Sequence, residues 1–174
     1  MNRIIAEIRE LESQNNTDEL GGYLTNLVKS EKNPQHYENE FKKHLNSDNW
    51  YLKKTAIFCL LFALQIDKPE YRKKAIEFVS DLSEDDEVRR WSISGLGQTY
   101  RNTNDNELIK LFLRKIDDKN DDESLKSSLV SSILNICGIS SHEQFMRTGK
   151  INNSAAFLIE SFEKEFELIK NRIN

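Results

Sequence analysis

The sequence predicts an all-α protein whose helix pairs repeat along the chain as a short α-solenoid. Three observations predict it. Apolar residues recur at three- and four-residue spacing almost throughout, as helices with one buried face require. Two prolines and six glycines in 174 residues are too little punctuation for an all-β chain of that length. Similar helix starts also return at a fixed interval in the high thirties, with a second helix between each pair.

The elements follow in order. Residues 2–13 put Ile4, Ile5, Ile8 and Leu11 on one face. A second helix is expected from about Asp18 to Ser30, carrying Leu20, Leu24, Leu27 and Val28. Pro34 opens a third, with Tyr37, Phe41 and Leu45 spaced by four. Asp48 is the expected cap of a long apolar helix reaching about Gln65. Pro69 falls in the first turn of the next helix, 68–82, where a missing N–H does little harm. Tyr71, Ala75, Phe78, Val79 and Leu82 form its apolar face. Helices over 86–100, 105–116 and 122–137 come next, then a short turn of helix after Ser141. One last helix over 153–173 aligns Ala155, Leu158, Ile159, Phe162, Phe166, Ile169 and Ile173.

The repeat is visible in register. Leu52-Lys53-Lys54 is followed 36 positions later by Val88-Arg89-Arg90, and 37 further by Leu125-Lys126-Ser127. Leu60, Leu96 and Ile133 each fall eight residues after the first apolar position. Asp48, then Asp85 or Asp86, then Asp121 or Asp122 stand ready to cap. The stretch DDEVRRWSISGLG, residues 85–97, resembles the first helix of a HEAT repeat: an acid cap, Val88-Arg89, the small Ser92, and Leu96-Gly97. Gly95 and Gly97 each cost a helix about 1 kcal/mol relative to alanine, which close helix packing would offset. The resemblance covers residues 17–137 and implies a short right-handed HEAT-like solenoid of antiparallel helix pairs. Residues 1–16 and 138–174 are expected as capping segments of the same single domain.

Composition narrows the chemistry. A net charge of −4 argues against nucleic acid as partner. Cys59 and Cys137 lie in apolar stretches and are expected as buried, reduced thiols of a cytoplasmic protein. Glu7, Arg9 and Glu10 interrupt the first helix, so no signal-peptide centre is expected there, and the longest apolar run, Ala56–Leu64, is too short to cross a membrane. His36, His44 and His142 make no metal-ligand pattern and are expected at the surface. No nucleophile motif or phosphate-binding loop appears, so no catalytic residue, cofactor or metal is expected.

Two candidate binding surfaces remain. Glu84, Asp85, Asp86 and Glu87 crowd one turn, and Asp117, Asp118, Asp121 and Asp122 crowd the equivalent turn of the next repeat. As an acidic edge they would dock a basic protein; the alternative is capping and solubility. The HEAT resemblance also implies a concave face on the second helices, here carrying Arg72, Lys73, Glu77, Lys110 and Arg114, suited to an acidic segment. The expected function is non-catalytic protein binding. Its sharpest form is an immunity protein that occludes a cognate bacterial toxin, possessing a basic domain, through the acidic edge. The second form is an adaptor holding a peptide or helix in the concave groove. A third rests on resemblance to alkylpurine DNA glycosylases, which are HEAT-like and hold DNA on a basic, tryptophan-bearing face; Trp50, Trp91, Arg89, Arg90 and Arg101 would serve there.

Overall fold

In the computed structural model, which describes residues 3–150 and 153–173, the chain is all-α: no strand occurs among the described residues. It divides into two compact units, Met1–Gly95 and Leu96–Asn174.

In the first unit, α1 (Arg3–Ser13) packs on α2 (Thr17–Ser30), and α2 packs on α4 (Trp50–Ile57). Asn2, the expected first residue of α1, lies outside the described residues. Asn16 caps α2 by accepting the Glu19 N–H. The third helix is broken into a 3-10 turn (Pro34–Tyr37), α3 (Glu38–Lys43) and a second 3-10 turn (His44–Asn46). Tyr37, Phe41 and Leu45 still face the core, as their spacing predicts. The tighter turns also bring His44 inward to 8% exposure, whereas His36 stays exposed; the expected surface position is therefore corrected for His44.

The cap of α4 is Asn49, not Asp48: the Asn49 side chain accepts the Leu52 N–H at 3.1 Å. Beyond Ile57 the helix widens into a π-helical turn, Phe58–Ala63, with the Leu64 N–H reaching the Cys59 carbonyl. Cys59, Leu60 and Leu61 are consecutive and all buried. Gln65 then ends the run in the left-handed region, φ 51°. α5 (Pro69–Ser80) begins at its proline and stops before Leu82, which is 53% exposed rather than part of the apolar face.

The unit boundary falls inside α6 (Asp86–Thr99). Within the second unit, α7 (Asn106–Ile116) packs on α8 (Glu123–Ile136), and α8 packs on α10 (Ala155–Ser161). Its core holds Leu108, Ile109, Phe112, Leu129, Val130, Ile133, Leu134 and Phe162. The short helix after Ser140 is α9 (Ser141–Thr148), which ends on Gly149 in the left-handed conformation. The expected single last helix is two: α10 and α11 (Glu163–Ile173), separated by a break at Phe162. No helix among the described residues is long and apolar enough to cross a membrane.

Candidate functional site

The acids of the first turn all have partners within their own unit. Glu84 accepts from Lys53 Nζ at 2.7 Å, with both side chains largely buried. Asp85 accepts the Glu87 N–H at 2.8 Å and so caps α6. Asp86 pairs with Arg89 at 3.2 Å, and Glu87 with Arg90 at 2.9 Å. Arg89 is only 3% exposed, which places it in the core rather than on a surface.

The second acidic turn is engaged in much the same way. Asp118 accepts from the Asn120 backbone and side chain, both at 3.0 Å, and these bonds hold its carboxyl below the usual range. Asp121 is buried. Asp122 caps α8 by accepting the Leu125 N–H at 2.7 Å. Neighbouring Glu123 accepts the Ala155 N–H at 2.6 Å. Asp117 lines a groove of the second unit.

The positions expected on a concave face separate into two groups. Arg72, Lys73 and Glu77 lie with Pro69, Ile76 and Ser80 around a shallow cleft of about 440 Å³ whose lining comes from α5 alone. Lys110 and Arg114 instead wall a groove of about 650 Å³ shared by α7, α10 and α11. The N-terminus of α7 is fixed by Asp105, which accepts the N–H groups of Glu107 and Leu108. Its buried face, Leu108, Ile109 and Phe112, sits beside α8. That orientation turns Leu113 and Ile116 to the groove floor, where Ile159, Phe166 and Ile173 meet them from the other side.

Lys110, Arg114 and Lys170 rim this floor, with Asp117 as the one carboxylate of the lining. The Arg114 Nε–H donates to the Lys110 carbonyl at 3.3 Å, which braces the guanidinium along α7. Among the described residues none of the three cations makes an ion pair. An apolar floor under cations free of ion pairs has the chemistry to accept an amphipathic anion, apolar groups on the floor and carboxylates at the rim.

Comparison with family models, curated proteins and solved structures gives no match.

The sequence reading missed half of this groove. Ile159 and Ile173 were expected on a buried stripe, yet both are half-buried in its lining, and Lys170 was not singled out. The spacing of Phe166, Lys170 and Ile173 was the available signal, because a lysine four residues after a core aromatic stands at the rim of the same face.

Elsewhere the chemistry is quiet. Burial pushes the Cys59 thiol up to about 12, so it carries no thiolate at neutral pH. Cys137 is half-buried, not buried as expected, because it is the C-cap residue of α8; its sulfur lies 3.5 Å from an Arg172 nitrogen. No group of three His, Cys, Asp or Glu side chains converges for a metal among the described residues. Trp50 is 43% exposed; Trp91 is half-buried against Phe58 and Phe62.

Proposed function

We propose that this chain is a non-catalytic protein-binding module that takes an acidic, amphipathic segment of its partner in the groove between α7 and α11. One observation carries the reading: an apolar floor rimmed by Lys110, Arg114 and Lys170, none of them in an ion pair among the described residues and with Asp117 the one carboxylate of the lining. The acidic turns support it from the other side, since a basic partner there would compete with caps and ion pairs already made. If the module is an immunity protein, its toxin therefore presents an acidic segment to the groove. The helix pairs are taken to stack as a short right-handed HEAT-like solenoid, on the 36- and 37-residue intervals and on the acid caps of α6 and α8.

The test is fluorescence anisotropy with a labelled helical peptide of about 15 residues. Leucines stand at one face and glutamates at the other; a second peptide has lysines for the glutamates. The acidic peptide should bind wild type and lose at least about tenfold in affinity to Lys110→Gln/Arg114→Gln/Lys170→Gln. Equal binding of both peptides, or an unaffected triple variant, would overturn the reading.

A further inference from the structure

A second cleft, of about 190 Å³, lies wholly within the first unit and is lined by Thr25, Lys29, Tyr51, Lys54, Phe58 and Trp91 among others. Its shape follows from one glycine. On α2, Gly21, Thr25 and Lys29 share a stripe at four-residue spacing. A Cβ at Gly21 would lie 2.3 Å from the Tyr51 ring, so α2 and α4 meet closely at that level. One and two turns further along α2, Thr25 and Lys29 border open space instead.

The wall is aromatic. Trp91 stands edge-on to Phe58 at 5.2 Å and to Phe62 at 5.4 Å, and those two phenylalanines stack at 5.8 Å. The π-helical turn carries both phenylalanines, and such turns recur at functional sites. Trp50 adds an edge-on contact to Tyr51 at 5.7 Å.

The cleft is also cationic. Lys29 Nζ lies 5.5 Å from the Phe58 ring centre, and Lys54 Nζ lies 4.7 Å from that of Tyr51. Neither lysine makes an ion pair among the described residues. Ring faces hold an ammonium more weakly than a carboxylate or phosphate does, so both remain open to an anion. The Thr25 hydroxyl likewise has no hydrogen-bond partner among the described residues, whereas the Thr55 hydroxyl donates to the Tyr51 carbonyl.

We propose that this cleft binds a small planar aromatic anion, its ring against Phe58 and Trp91 and its charge between Lys29 and Lys54. The volume suits one or two fused rings and is too small to enclose a helix, so the ligand is taken to be a free small molecule. This site is separate from the groove of the second unit and does not depend on the function proposed for it.

The chain supplies its own reporters, because its two tryptophans are Trp91, in the lining, and Trp50, packed on Tyr51 and Lys54. The experiment titrates the full chain with 2-naphthoate and follows the two indole N–H resonances. Neutral 2-naphthamide tests the need for charge, and adenosine 5′-monophosphate tests a phosphate in place of a carboxylate. The Trp91 signal should move with 2-naphthoate, and affinity should fall at least about tenfold for the amide and for Lys29→Gln/Lys54→Gln. Adenosine monophosphate binding more tightly than 2-naphthoate would define the anion as phosphate within the same proposal. No shift of Trp91 at millimolar 2-naphthoate, or equal affinity for acid and amide, would overturn it. The glutamines keep most of each lysine's stem, and matching spectra away from the cleft establish that the variant is folded.

Discussion

A methyl group added at Gly97 would lie 2.5 Å from Ser132 Oγ and 2.9 Å from its Cα. A hydroxyl can rotate away, but the backbone of a buried helix cannot. Gly97→Ala should therefore destabilise the protein by about 1–2 kcal/mol, overpacking outweighing the gain in helix propensity. Ser132→Gly, which removes the two nearest atoms, should recover part of that loss in the double variant. Gly22 is the contrasting case: it is inside α2 with nothing within 4 Å of an added Cβ. Gly22→Ala should stabilise by about 1 kcal/mol. Urea denaturation of the variants checks all three signs. His44 gives a pH-dependent effect. Burial lowers its pKa from the ordinary 6.5, with Lys43 and Arg9 acting the same way and Glu12 and Glu40 opposing. The native state thus holds the neutral ring while the unfolded chain takes a proton. Stability from this group is complete above pH 6.5 and declines as the pH falls through the lowered native value. Denaturant midpoints should drop between about pH 7 and 5 in wild type and flatten in His44→Phe. Glu7 and Glu38 have carboxyls held below 4.5, so their contribution is lost at lower pH and does not imitate this step.

At the scale of elements, the break between α10 and α11 is held by one side chain. An Arg147 nitrogen reaches the Ser161 carbonyl at 3.3 Å and Glu165 at 2.7 Å, and its guanidinium lies 4.1 Å from the Phe162 ring centre. It satisfies an orphan carbonyl at the end of α10 and covers the residue that turns the chain. Arg147→Met should cost about 1–2 kcal/mol, and hydrogen exchange should accelerate first in the amides around Phe162. Nothing local announces this break, because no Gly or Pro stands near it and the apolar stripe runs through Phe162 unbroken. The same holds for the π turn, since no Gly or Pro stands within Phe58–Ala63 to mark it. By contrast α2, α5, α7 and α8 were legible to within two residues at each end, since their caps, prolines and apolar periods agree. The cationic half of the groove was legible at Lys110 and Arg114, which lie four apart on one helix. Its other wall comes from α10 and α11, about 50 residues away in the chain, and periodicity within one helix carries no record of such a pairing. The acids were found as residues but not as roles: whether Asp85 caps or docks depends on a single N–H, that of Glu87.

At the scale of the whole molecule, the groove works against the charge around it. The chain carries −4 overall, so an acidic ligand meets net repulsion at long range. Close to the groove, Lys110, Arg114 and Lys170 face it with only Asp117 opposed. Salt separates these two contributions, because the screening length is about 10 Å at 0.1 M and repulsion from distant charges is removed first. Association of the acidic peptide should therefore slow little, or even quicken, on first addition of salt. Dissociation should quicken steadily as the rim contacts are screened. The net affinity should fall between about 0.05 and 0.5 M NaCl, and it should fall less steeply in Lys110→Gln/Arg114→Gln/Lys170→Gln. Stopped-flow kinetics across that range measure both rates. An affinity that rises with salt in wild type would mean that overall repulsion outweighs the three cations, and that the apolar floor binds the segment without them.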